Sequence, residues 1–203
     1  MQSGLPALQF SQIPGGGRTT ARQLTGCMSV GELLTCTQGL PLSTDRIEKK
    51  VLLRSPLKRV WRAIADSNEF GNWFGLKFDG PFVQGASLRG VIVPSTVNPE
   101  INAVETPHEG VVFDITIEKI EPERLFSFRW HPHAVKRDVD YSAEPTTLVV
   151  FTLEEVADGV MLTITESGFH RIPLARRAEA FLANDAGWSM MVRAIGDYLG
   201  KAA

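Results

Sequence analysis

The last stretch of the chain, Leu174 to Leu199, constrains the fold most. It is long enough to be the longest helix of the protein. Phe181, Asn184, Trp188, Met191, Ile195 and Tyr198 recur at steps of three and four, so they share one helical face. Pro173 sits where a first-turn proline is tolerated and marks the start. Gly187 lies in the middle, beside Trp188. An interior glycine costs about 1 kcal/mol relative to alanine. Close contact with another backbone is the expected reason for carrying it. Arg176, Arg177, Glu179 and Arg193 are left to solvent. A helix with one apolar face must cover something, and what precedes it reads mostly as strands.

Arg46 to Leu53 alternates, with Ile47, Lys49, Val51 and Leu53 on one side. Ser55-Pro56 opens a short helix, with Ser55 expected as cap and Pro56 in the first turn. Val60, Trp61 and Ile64 form its apolar stripe. Asp66 or Ser67 caps a second short helix containing Phe70 and reaching towards Trp73. Trp73-Phe74-Gly75 then connects into Leu76-Lys77-Phe78, and Ser87 to Val93 is a strand. Val111, Phe113, Ile115 and Ile117 share one strand face, and Phe126, Phe128 and Trp130 share the face of the returning strand. Val149, Phe151 and Leu153 point inward from the next strand. Asp158-Gly159 is a hairpin turn signal, after which Leu162, Ile164 and Glu166 line one face. The simplest topology is a meander. The fold class is α+β: a curved antiparallel sheet of about six strands wrapped on the C-terminal helix, with two short helices after the first strand.

Two long connections, 94–110 and 132–145, interrupt this pattern. Loops of that length in a small domain are usually functional or mobile, so both are candidate lids. Residues 1–44 contrast with everything after them. They hold Gly15, Gly16 and Gly17, many Ser and Thr, and little periodicity. They are expected to be a disordered extension, whether a tail or a gene-model artefact, preceding one domain at 45–201. Arg18 and Arg22 with few acids only weakly suggest a transit peptide.

A formal net charge of −2 gives no field for nucleic acid or an anionic membrane. Nucleic-acid motifs and membrane spans are not expected. Arg46, Lys49, Lys50, Arg54, Lys58, Arg59 and Arg62 stand against only Glu48 in the stretch Arg46–Arg62. That run is either a solvated edge and helix face or a docking surface for an acidic protein partner. Cys27 and Cys36 fit neither a CxxC nor a zinc-ribbon pattern and read as free thiols. With no secretory layout at the N-terminus, a cytoplasmic location is expected.

The order of elements resembles the helix-grip fold of the SRPBCC, or START-like, superfamily. Several segments resemble one branch, the homologues of the activator of the heat-shock chaperone ATPase. They are Ile47-Glu48-Lys49 through Val60-Trp61-Arg62-Ala63-Ile64, Trp73-Phe74, Phe128-Arg129-Trp130-His131-Pro132, Thr165-Glu166-Ser167-Gly168-Phe169, and Asn184 with Gly187-Trp188. The resemblance covers about residues 44–200. It implies a cavity between sheet and helix. Superfamily members include lipid carriers, cyclases, hormone receptors and co-chaperones, so it does not choose a function.

Glu166 carries the most information among the candidate residues. Alternation with Leu162 and Ile164 turns it inward, where a carboxylate needs a partner or a raised pKa. It can bond the next loop, contact a ligand, or act as a general acid or base. Asn184 lies on the apolar helix stripe and also needs partners, Glu166 among them. His131 and His133 flank Pro132, but no third ligand is evident, so no metal is expected. Either His131 hydrogen-bonds at the mouth of a pocket or it is a surface residue. Trp73, Phe74, Phe113, Phe128, Trp130, Trp188 and Met191 are ordinary core or the lining of an apolar cavity. GxSxG and P-loop motifs are missing, and no cofactor is expected.

The leading expectation is a protein that binds a small hydrophobic or amphipathic molecule in a hydrophobic cavity. A regulator of a chaperone ATPase is one alternative, acting through Arg46–Arg62. A cyclase or dehydratase with Glu166 as base, and His131 or Asn184 orienting the substrate, is another.

Overall fold

The computed structural model describes residues 45–95, 97 and 106–201. Strand β1 (Arg46–Leu53) is followed by helices α1 (Leu57–Ala65) and α2 (Ser67–Phe74). Strands β2 (Leu76–Phe78), β3 (Ser87–Ile92), β4 (Val112–Glu121), β5 (Leu125–Trp130), β6 (Thr147–Val156) and β7 (Gly159–Ser167) come next. Helix α3 (Leu174–Lys201) is the last of the described elements. All pairings are antiparallel, in the order β1-β7-β6-β5-β4-β3-β2. The meander therefore holds from β2 to β7. Strand β1 closes the other edge by pairing with β7, and the two short helices carry the chain between the edges. The sheet has seven strands, because the connection at Leu76-Lys77-Phe78 pairs with β3. A bulge between Ile117 and Lys119 bends β4.

The helix starts follow local chemistry. Asp66 accepts from the backbone N–H groups of Asn68 and Glu69, both at 2.9 Å, and so caps α2. Helix α1 differs from expectation. Pro56, extended at ψ 142, occupies the cap position and no side chain caps the helix. Its carbonyl accepts from Arg59 and Val60, so Ser55 stands one residue too early.

The β6–β7 hairpin is also shifted by one residue. Its loop is Ala157-Asp158, and Gly159 already pairs with Val156. Gly159 has φ +138, and a Cβ there would overlap the Leu53 carbonyl oxygen of β1. The glycine admits the neighbouring strand and does not form the turn. Gly159→Ala should therefore destabilise the fold by about 3 kcal/mol, through strain plus the clash. Urea unfolding of the two proteins measures this, and a loss below about 0.5 kcal/mol would contradict it.

The core lies between the concave face of the sheet and the helices. Phe70 of α2 is 1% exposed and packs against Trp73, Phe82, Phe126 and Phe151. Lys49 of β1 pairs with Asp185 of α3 at 2.8 Å. Tyr198 donates to Glu69 at 3.1 Å and ties the end of α3 to α2. These contacts fix α3 across the sheet. No helix among the described residues is long and apolar enough to cross a membrane.

Candidate ligand-binding cavity

Asn184 and Trp188 stand four residues apart, one turn on the same face of α3. Both reach Glu166, which is 0% exposed near the end of β7. The Asn184 amide nitrogen donates to Glu166 Oε1 at 2.9 Å and Oε2 at 3.0 Å. Trp188 Nε1 donates to Oε2 at 2.6 Å. From the sheet, Trp130 Nε1 donates to Oε1 at 2.8 Å and Thr147 Oγ1 to the same oxygen at 2.6 Å. Trp130 and Thr147 face each other across the β5–β6 pair, so register alone brings them together. Glu166 thus collects donors from two strands and the helix. A buried carboxylate is tolerated when hydrogen bonds replace its hydration, and here neutral donors do so without a cation. The arrangement joins α3 to the sheet.

Beside this hub, Trp188 and Trp130 leave a partly open cavity of about 480 Å³. Phe74, Phe113, Trp130, His131, Asn184, Trp188 and Met191 all lie on its wall. Three candidates lie elsewhere. Trp73 is 0% exposed in the core, where its indole N–H donates to the Ala63 carbonyl at 2.8 Å. Phe128 is packed into the core against Phe126 and Phe151. Glu166 sits behind Asn184 and Trp188, with both oxygens occupied.

Other wall residues escaped the sequence reading. Ile92, His108, Ala183, Ala186, Gly187 and Met190 line the cavity. Gly187 overturns its expectation: nothing lies within 4 Å of where its Cβ would be. It makes no close backbone contact and leaves space on the cavity wall. Small residues at 183, 186 and 187, flanking the Asn184–Trp188 stripe, are the signal that could have found it. His133, also on the wall, adopts φ 51. Burial holds it below the usual histidine range, and Glu179, 3.8 Å away, opposes that in part. Among the described residues no group of His, Cys, Asp or Glu could hold a metal ion.

The connection 132–145 forms one rim and is anchored to α3. Arg176 Nε donates to Glu144 Oε2 at 2.6 Å and Nη1 to the Pro132 carbonyl at 3.0 Å. Its guanidinium lies 4.8 Å from the Tyr141 ring centre. His131 Nε2 bonds the Glu144 carbonyl at 3.0 Å. The loop 94–110 is described only at 94, 95, 97 and 106–110. The Val97 carbonyl accepts from Lys201 at 2.7 Å, and His108 reaches the wall. The rest of that loop lies outside the described residues, as do the extension 1–44 and both cysteines.

The basic stretch is largely paired within the fold. Arg46 and Lys50 meet Glu48, Lys49 meets Asp185, and Arg59 and Arg62 meet Glu69.

A sheet gripping one long C-terminal helix over two short ones defines an SRPBCC-type helix-grip protein. A family model described as activator of Hsp90 ATPase homolog 1-like protein matches residues 54–200, and the chain belongs to that family. Solved structures share the fold. Protein MLL2253 from Mesorhizobium loti is 18% identical with a TM-score of 0.57, over 78% of this chain and 98% of that one. DynU16, a protein of the dynemicin biosynthetic locus, is 25% identical with a TM-score of 0.55, over 78% of this chain and 48% of that one. The Aha1 dimer from Colwellia psychrerythraea is 15% identical with a TM-score of 0.52, over 76% of this chain and 95% of that one. No curated protein matches the sequence.

Proposed function

We propose that this protein binds a small hydrophobic or amphipathic molecule in the cavity beneath α3. The observation that carries the reading is the cavity itself. Its volume of about 480 Å³ lies within the range of ligand sites, roughly 300–1,000 Å³. Aromatic, aliphatic and methionine side chains make most of the wall, with Asn184 and three histidines as its polar groups. An apolar wall with few polar groups favours retention of a molecule that is itself mostly apolar.

The rival readings find less support. A general base needs a lone pair open to its substrate, and the Glu166 oxygens are filled by protein donors. Docking on a chaperone ATPase, which the family description names, would use a basic stretch whose charges are mostly paired internally.

Pyrene, which has no hydrogen-bonding group, tests the reading on the full chain. It should bind saturably at one site per chain and quench the fluorescence of the wall residues Trp130 and Trp188. Met191→Lys, which puts an ammonium among apolar wall residues, should weaken binding by about 2 kcal/mol or more. Non-saturable pyrene uptake, or saturable binding indifferent to Met191→Lys in a folded variant, would refute the proposal.

A further inference from the structure

The cavity wall carries a polar asymmetry that its apolar character conceals. The amide nitrogen of Asn184 lies 2.9 and 3.0 Å from the two Glu166 oxygens. A carboxylate accepts and does not donate, so the nitrogen must face it. Flipping the amide would place its carbonyl oxygen against those oxygens, with no proton between them. Asn184 is 8% exposed and lies on the cavity wall. With its nitrogen turned to the sheet, what Asn184 can offer the cavity is its carbonyl oxygen, an acceptor. Trp188 and Trp130, the other hydrogen-bonding groups beside it, spend their N–H groups on Glu166.

His131 repeats the pattern at the rim. Its Nε2 lies 3.0 Å from the Glu144 carbonyl, which can only accept, so Nε2 carries a proton. In the neutral ring Nδ1 is then also an acceptor. No Lys, Arg, Asp or Glu lines the cavity among the described residues. The wall therefore has no fixed charge to meet a carboxylate or phosphate, and beside Asn184 and His131 its polar groups are the imidazoles of His108 and His133.

We infer that the ligand of this cavity is an uncharged apolar molecule carrying a hydrogen-bond donor, a hydroxyl or N–H, that seats on the Asn184 carbonyl oxygen. Glu166 is the positioning residue: it touches no ligand but fixes which end of the amide faces the cavity. The inference rests on the binding reading above and adds the polarity of the ligand. A buried acceptor left without a donor is disfavoured, so analogues that lack the donor should bind less well.

The test is a matched series on the wild-type full chain: 2-naphthol, 2-methoxynaphthalene and 2-naphthoate, each titrated by displacement of pyrene. The three share one apolar body and differ only in the polar group. Naphthol should bind about five- to tenfold tighter than the ether, the size of one neutral hydrogen bond, with naphthoate weakest. Asn184→Ala should reduce the naphthol-to-ether ratio to near one while pyrene still binds. A merely structural Asn184 would not change that ratio. If pyrene binds but naphthol and ether are equal, or the ether or naphthoate is preferred, the polarity assignment falls alone. A preference that persists in Asn184→Ala overturns it as well. If pyrene does not bind to the wild type, the cavity reading falls and this inference with it. Should Asn184→Ala not fold, the wild-type series still decides.

Discussion

Glu166→Leu is expected to cost about 3–5 kcal/mol of stability, because several buried donors lose their acceptor at once. Leucine fills similar space but accepts nothing. Trp130, Thr147, Asn184 and Trp188 would each keep a donor aimed at an alkyl group. An unsatisfied buried donor costs roughly 1–3 kcal/mol, and partial exposure of Trp130 together with the added apolar burial offsets some of the sum. Glu166→Gln should cost less, because one carbonyl oxygen remains, but its amide group would face donors. Urea unfolding measures both losses. Near-ultraviolet circular dichroism should show a changed tryptophan signal, because Trp130 and Trp188 lose the partner that orients them. A loss under about 1 kcal/mol for Glu166→Leu would mean that the hub does not hold α3 to the sheet.

This hub was half legible in the sequence. Period-two alternation placed Glu166 inward with Leu162 and Ile164, and period 3.6 placed Asn184 and Trp188 on one helical face. Their meeting was a reasonable expectation, since the one helix long enough to cover the sheet carried both. Thr147 was not foreseeable. Its hydroxyl reaches Glu166 through the pairing of β6 with β7 and of β5 with β6, a register that no local pattern encodes. The internal pairing of the basic stretch was illegible for a similar reason. Its partners Glu69 and Asp185 are supplied by α2 and α3, so counting acids within the stretch missed them. Trp73 and Phe128 cannot be told from wall residues in the sequence, because aromatic residues on an inward face look alike there. Only the depth of each in the core separates Phe128 from Phe113 and Trp130.

Replacing Gly187 with leucine should move stability and binding in opposite directions. A glycine in the middle of a helix signals only that a side chain is missing. The space it leaves can be filled by another backbone or left open. If a backbone filled it, leucine would force α3 away from the sheet and destabilise the fold. Nothing lies within 4 Å of the Cβ position, and Gly187 borders the cavity. Leucine there should therefore gain about 1 kcal/mol from helix propensity, before any apolar burial is added. The same four carbons would occupy ligand space. Overfilling a packed apolar site costs roughly 1–3 kcal/mol, so pyrene affinity should fall by about 2 kcal/mol, near thirtyfold. Urea unfolding and pyrene titration of one variant give both signs. A destabilised Gly187→Leu would restore the close-contact role and remove the glycine from the site. A stabilised variant that binds pyrene as tightly as before would place the ligand elsewhere than under α3. A rise in stability with a loss of binding fits neither alternative, because it requires both an open space at Gly187 and a ligand that uses it.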